Sequence, residues 1–238
     1  MDILKEKNIK LIIFDYDGVI YNMIEPLRHT VEEGVKKFSL KSNGIQEDMR
    51  EIFHVLEQAL TRTVADQILD SKEMLDIKLL EGVPHLQRLR ISAHFYGEFR
   101  ARTKEPVLFD GIVELIKKLH KRGIKLTILS NSAKNYIVDT MKQYELEQYF
   151  NTILGAAEVV EVKPNPEGLN KILKMENIEA KNTIFIGDMI SDLDAGKRAG
   201  IKTIAVASGI VPYEKLANEN PFAIVRDIFE LEKFFGIN

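Results

Sequence analysis

Four short apolar runs punctuate the chain, at 9–14, 124–129, 183–186 and 203–207, each rich in β-branched or aromatic residues and without sustained polar alternation. A strand with one wet face would alternate, so runs of this kind fit strands covered on both faces. Between them the apolar positions recur at helical spacing. Ile112, Leu115, Ile116 and Leu119 form one stripe, and Gly123 then supplies a residue able to end a helix just ahead of the second run. Gly200 plays the same part after Ala195–Ala199. Strand and helix in alternation predict an α/β fold, a doubly wound, mainly parallel Rossmann-like sheet with right-handed crossovers. Ligands of such sheets bind beyond the carboxyl ends of the strands.

Residues 21–106 break the alternation. They hold no convincing strand, and Ile52, Val55, Leu56, Ala59 and Leu60 recur at helical spacing. An inserted helical domain is expected there, with 1–20 and 107–238 forming the α/β core. Because the insertion departs just after Asp17-Gly18 and returns near Phe109-Asp110-Gly111, it is expected to lie over the acidic strand ends as a lid. Its basic residues, Arg28, Arg50, Arg62, Arg88 and Arg100, read as solvated helix faces from which one or two could reach a substrate.

Composition narrows the chemistry. The 238 residues suffice for an α/β core plus an insertion. A formal net charge of −3 and no long basic run leave no electrostatic footprint for nucleic acid and argue against an anionic membrane as partner. Met1–Lys7 leads into an apolar stretch too short for a signal peptide or a membrane span, so a cytoplasmic location is expected. The absence of cysteine excludes disulfides, thiolate metal sites and a cysteine nucleophile. His29, His54, His85, His94 and His120 show no metal-ligand spacing and read as structural or solvated.

Four fragments then carry the candidate chemistry: Asp15-Tyr16-Asp17-Gly18 after the first run, Ser130-Asn131 after the second, Lys163-Pro164 in a polar loop, and Gly187-Asp188 through Asp192 after the third. Each is ordinary alone, as a turn, a cap or a loop. On adjacent strands, Asp15 and Asp188 would bring carboxylates together, with Asp17 close by. Their mutual repulsion calls for a divalent cation, and an all-oxygen donor set suits Mg²⁺ better than zinc. Asp15 is then the candidate nucleophile toward phosphorus, and Asp17 the general acid and base. Gly18 permits the tight turn. Ser130 is expected to bind phosphoryl oxygens, and Asn131 to add a donor to phosphate or substrate. Lys163, held in an extended conformation before Pro164, would balance the developing negative charge. Asn165 and Pro166 look like the cap and first residue of the next helix. Asp188 is the candidate direct metal ligand, and Asp192, in the first turn of a helix, either caps it or positions the ligands.

With these residues in this order, the chain resembles the haloacid dehalogenase superfamily. That family pairs a DxDG strand end with a later Ser or Thr, a Lys and a GDxxxD motif. The segments Lys163–Leu169 and Ala195–Gly200, with the helical insertion, are similar to its phosphoglycolate phosphatase and β-phosphoglucomutase branch. The chain departs from the branch pattern at Asn22, where many relatives are acidic, and at Asp110, where many have proline. The resemblance implies a phosphoenzyme on Asp15 and Mg²⁺ held by Asp15, Asp188 and the Asp17 backbone carbonyl. It also implies a cap that selects a small phosphorylated metabolite such as phosphoglycolate, a sugar phosphate or a nucleoside monophosphate, with the chain acting as monomer or homodimer. Asp17 argues against dehalogenation, which proceeds without that acid–base residue. A phosphomutase of the β-phosphoglucomutase type remains the alternative to a phosphatase. A non-catalytic phosphoacceptor is disfavoured because such receivers are about half this length and carry the acceptor on a different strand from the acidic pair, and a silent binding relative because no catalytic position is substituted.

Overall fold

The computed structural model describes residues 2–61, 77–102 and 104–237, with the side chains of 54–61 outside the description. Arg62 therefore lies outside the described residues. Of the stripe Ile52, Val55, Leu56, Ala59 and Leu60 only Ile52 has a described side chain, which is buried. The chain divides into two compact units, 1–22 with 107–238, and 23–106.

The first unit is built on a six-stranded parallel sheet: β1 Leu11–Phe14, β2 Lys125–Leu129, β3 Thr152–Leu154, β4 Thr183–Gly187, β5 Lys202–Val206 and β6 Ala223–Val225, in the order β3-β2-β1-β4-β5-β6. All five pairings are parallel. Four strands match the apolar runs of the sequence. The three-residue β3 and β6 are additional, each too short to show a period of its own. Every residue of β1 and β4 is buried, which is why neither alternates.

Helices flank the sheet. The stripe Ile112, Leu115, Ile116 and Leu119 is wholly buried on helix Ile112–Lys121, and Gly123 follows with φ +76°. One face of the core joins Leu11, Ile13, Leu129, Leu154, Leu169, Ile172, Phe185, Ala195 and Ile201. Each such fully buried aliphatic chain favours folding by about 1.5–3 kcal/mol over leaving it exposed. Apolar burial thus holds the strand ends in a fixed arrangement.

The chain runs from β1 outward to β2 and β3, then crosses back to β4 on the other side of β1. The reversal lies between β1 and β4, in register with Phe14 opposite Ile186. The second unit is helical among its described residues, with helices Ile24–Phe38, Ile45–Thr61 and His85–Arg102 and a short 3₁₀ turn at Lys78–Leu80. Among the described residues no helix is long and apolar enough to cross a membrane.

Helix Ile190–Ala199 packs on β5 at Gly196, where an added Cβ would overlap Thr203 Oγ1. Alanine gains about 1 kcal/mol over glycine inside a helix, but overpacking against a stiff β-branched neighbour costs about 1–3 kcal/mol. Gly196→Ala should therefore lower stability in urea denaturation. In a Thr203→Ala background the same change should raise it.

Candidate active site

Asp15 is the first residue past β1, and its N–H donates to Ile186 of β4 at 2.8 Å, so the ladder continues into the loop. Tyr16 then turns into the core. Its hydroxyl donates to Thr140 Oγ1 at 2.7 Å and its ring stacks on Tyr21 at 5.6 Å. That anchor leaves Asp15 and Asp17 flanking a fixed residue. The turn closes with Gly18 N–H donating to the Tyr21 carbonyl at 3.0 Å, and Gly18 stands at φ +81°. Here glycine is needed twice, for the left-handed backbone and because a Cβ would overlap the Asp188 carboxylate.

Lys163 reaches into the same place. Its side chain is 4% exposed, and Nζ lies 2.7 Å from Asp15 Oδ1 and 2.6 Å from Asp192 Oδ1. Burial alone would lower its pKa, but the two carboxylates overcome that and raise it above the ordinary lysine value. The Lys163–Pro164 bond is cis. The following helix starts at Glu167 with Pro166, not Asn165, at its N-cap, one residue later than the sequence pattern suggests, and Asn165 Oδ1 accepts from Glu167 N–H at 2.9 Å.

Asp192 both caps and positions. Its Oδ2 accepts from the backbone N–H groups of Asp188, at 3.1 Å, and Met189, at 2.9 Å, while Oδ1 faces Lys163. Asp188 Oδ2 accepts from Ser208 at 3.1 Å, whereas its buried Oδ1 has no hydrogen-bond partner among the described residues.

Asp15, Asp188 and Asp192 each offer an oxygen within 4.8 Å of the others, and all three residues are buried. At that spacing two unit charges repel by about 3–4 kcal/mol at an effective dielectric constant near 20. Three carboxylates against one ammonium leave two negative charges in excess. The orphaned Asp188 oxygen, the all-oxygen donor set and this charge excess fit a divalent cation. Histidine has no place in the cluster, and it is the one such group among the described residues.

Asp17 stands apart from that trio. Its carboxylate Oδ2 accepts from Ser132 Oγ at 2.6 Å and from Ser130 Oγ at 3.1 Å. The carboxylate grouped with Asp15 and Asp188 is that of Asp192, while the two serines hold the Asp17 carboxylate toward the end of β2. Burial pushes Asp17 above the usual carboxylate range, with Ser132 and Ser130 opposing. Asn131 turns its carboxamide to the backbone of Lys163.

Sequence patterning does not single out Ser132 or Ser208. Ser132 repeats Ser130 two residues on, which on extended backbone would place it on the same side. Ser208 lies two residues past β5, at a strand end beside the reversal. His120 stands edge-on to Tyr149 and His94 edge-on to Phe38, and the side chain of His54 lies outside the described residues. Arg28 pairs with Glu25 and Glu32 on one exposed helix face.

The model of the haloacid dehalogenase-like hydrolases matches residues 12–206, and the chain belongs to that family. It is 26% identical to the phosphoglycolate phosphatase of Pseudomonas fluorescens, over 93% of this chain and 78% of that one. It is also 26% identical to the pyrophosphatase PpaX of Halalkalibacterium halodurans, over 96% and 98% of the two chains. The crystal structure of CbbY from Rhodobacter sphaeroides in complex with phosphate superposes with a TM-score of 0.62 at 21% identity, covering 94% of this chain and 96% of that one.

Burial first, then repulsion from neighbouring carboxylates, raises Asp15 and Asp188 above the ordinary range, Lys163 opposing. In the metal-free protein such groups favour folding while protonated, and that contribution fades as pH rises through their folded values. A cation competes with those protons, so its stabilisation should be largest at neutral pH and weaken on acidification. A divalent cation at about 100 times its Kd should raise Tm by roughly 5–10 °C near pH 7.5. The rise should shrink near pH 5, and Asp188→Asn should diminish it at both pH values.

Proposed function

We propose that the chain is a Mg²⁺-dependent phosphatase that hydrolyses a small phosphorylated metabolite through a phosphoaspartate on Asp15. The observation that carries this reading is the pair Asp15–Lys163: a carboxylate at a strand end, held beside a buried ammonium at 2.7 Å, with a second carboxylate, Asp17, kept apart on two hydroxyls.

In the first step an Asp15 oxygen attacks phosphorus as the ester P–O bond breaks, and Asp17 gives its proton to the leaving oxygen. Its raised pKa supports a proton there. In the second step Asp17, now ionised, takes a proton from water, and that water attacks phosphorus. Orthophosphate leaves and Asp15 is restored. Lys163 keeps a fixed positive charge beside Asp15 through both steps, held protonated by Asp15 and Asp192. Mg²⁺, when bound by the carboxylates of Asp15 and Asp188, with the Asp17 backbone carbonyl as the family resemblance implies, supplies further charge against the phosphoryl oxygens. Ser130, whose hydroxyl now donates to Asp17, would turn that hydroxyl to the phosphoryl oxygens when Asp17 is protonated.

The names of the two relatives support phosphoglycolate and pyrophosphate as the first substrates to test, with sugar phosphates and nucleoside monophosphates beside them. Wild-type protein should release orthophosphate from p-nitrophenyl phosphate and from at least one metabolite of this panel, and lose that activity in EDTA. Asp15→Asn should reduce turnover by at least about 10³-fold. Asp17→Asn should reduce it by about 10²–10⁴-fold. Conversion of β-glucose 1-phosphate to glucose 6-phosphate without net phosphate release would replace hydrolysis by a phosphomutase reaction.

A further inference from the structure

Asn131 follows Ser130, whose backbone N–H is tied to the Leu154 carbonyl at the end of β3 at 3.1 Å. From that anchored position both ends of the Asn131 carboxamide meet a single residue 32 positions away. Oδ1 accepts from Lys163 N–H at 3.2 Å, and Nδ2 donates to the Lys163 carbonyl at 3.3 Å. A carboxamide carries one acceptor and one donor group in fixed geometry, so it can pair with the N–H and C=O of one residue as a neighbouring strand would. The strand end bearing Ser130 and the loop bearing Lys163 are thereby linked through one side chain.

The loop has other anchors, but they act away from the lysine. Glu167 accepts from Val160 N–H at 2.9 Å and Glu161 N–H at 3.0 Å, upstream, and both contacts are exposed. Asn165 Oδ1 accepts from Glu167 N–H, downstream. The Asn131 contacts are half-buried and bear on the backbone of Lys163 itself, from which a long flexible chain must deliver Nζ to within 2.7 Å of Asp15 and 2.6 Å of Asp192.

Resting on the phosphatase reading, we infer that Asn131 is a positioning residue that acts on the reaction through Lys163, fixing its backbone so that the ammonium stays between Asp15 and Asp192. Both ends of its carboxamide engage the backbone of Lys163. The consequence is a dependence between the two residues that a phosphate ligand would not show.

The experiment combines a double-mutant cycle with crystallography. Asn131→Ala should lower kcat by about 10–100-fold, the loss typical of a misplacement near 1 Å, while KM changes by less than about threefold. In a Lys163→Ala background, Asn131→Ala should cost less than about threefold more, because the group it positions is already gone. Asn131→Asp keeps the acceptor for Lys163 N–H and should retain more activity than Asn131→Ala, with thermal melting confirming that each variant is folded. The crystal structure of Asn131→Ala should show Lys163 Nζ withdrawn from Asp15 or Asp192 or divided between positions. Multiplicative losses in the double variant, a raised KM with kcat kept, or an Nζ unmoved in the Asn131→Ala crystal would overturn the inference. Absence of turnover in the wild type would instead overturn the phosphatase reading, and the crystal structure would still decide the role of Asn131.

Discussion

Lys163 Nζ stands between Asp15 and Asp192 in a place nearly closed to water. Burying a charge costs several kcal/mol even after relaxation, and removing one partner of a buried pair leaves the other uncompensated. Each of these three charges is tolerable only because the others are there. Asp15 comes from the end of β1, Asp192 from the helix after β4, and Lys163 from the loop after β3, so the contact ties three separated segments to one point. It also sets the chemistry. The ammonium faces the candidate nucleophile, and the charge it leaves unbalanced is what a divalent cation would neutralise.

The sheet makes this contact possible. The chain reverses between β1 and β4, so residues more than 170 positions apart in sequence emerge side by side, with Phe14 opposite Ile186. The apolar packing beneath, from Leu11 and Ile13 to Phe185 and Ile201, prevents the repelling carboxylates from moving apart. Gly18 completes the fit, since any Cβ there would occupy the space of the Asp188 carboxylate. The site is thus three carboxylates and one ammonium held together at the strand ends by the core beneath.

Much of this was legible in the chain. The runs ending at Phe14, Leu129 and Ile186 announce buried strands because strands covered on both faces need continuous apolar residues. The polar residues just past them, Asp15, Ser130 and Asp188, stand out for the same reason. The strands β3 and β6 escape notice at three residues each, below the length at which a period shows. Ser132 and Ser208 escape because a serine past a strand end looks like any other, and their meaning comes from the carboxylates they face. Asn131 is visible as a polar residue at a strand end, but its partner is a backbone segment 32 residues on, and no spacing rule connects the two.

The sequence by itself determined the alternation of strand and helix, the ends of four strands, and the kinds of side chain available there, because these follow from local periodicity and from the conformational demands of glycine and proline. Only the tertiary structure decided which carboxylates share one pocket. It grouped Asp192 with Asp15 and Asp188 and drew the side chain of Asp17 to two serines. Local pattern specifies what a residue can do, whereas a hydrogen bond or an ion pair is a property of two residues at a distance, and that distance is set by how the whole sheet packs.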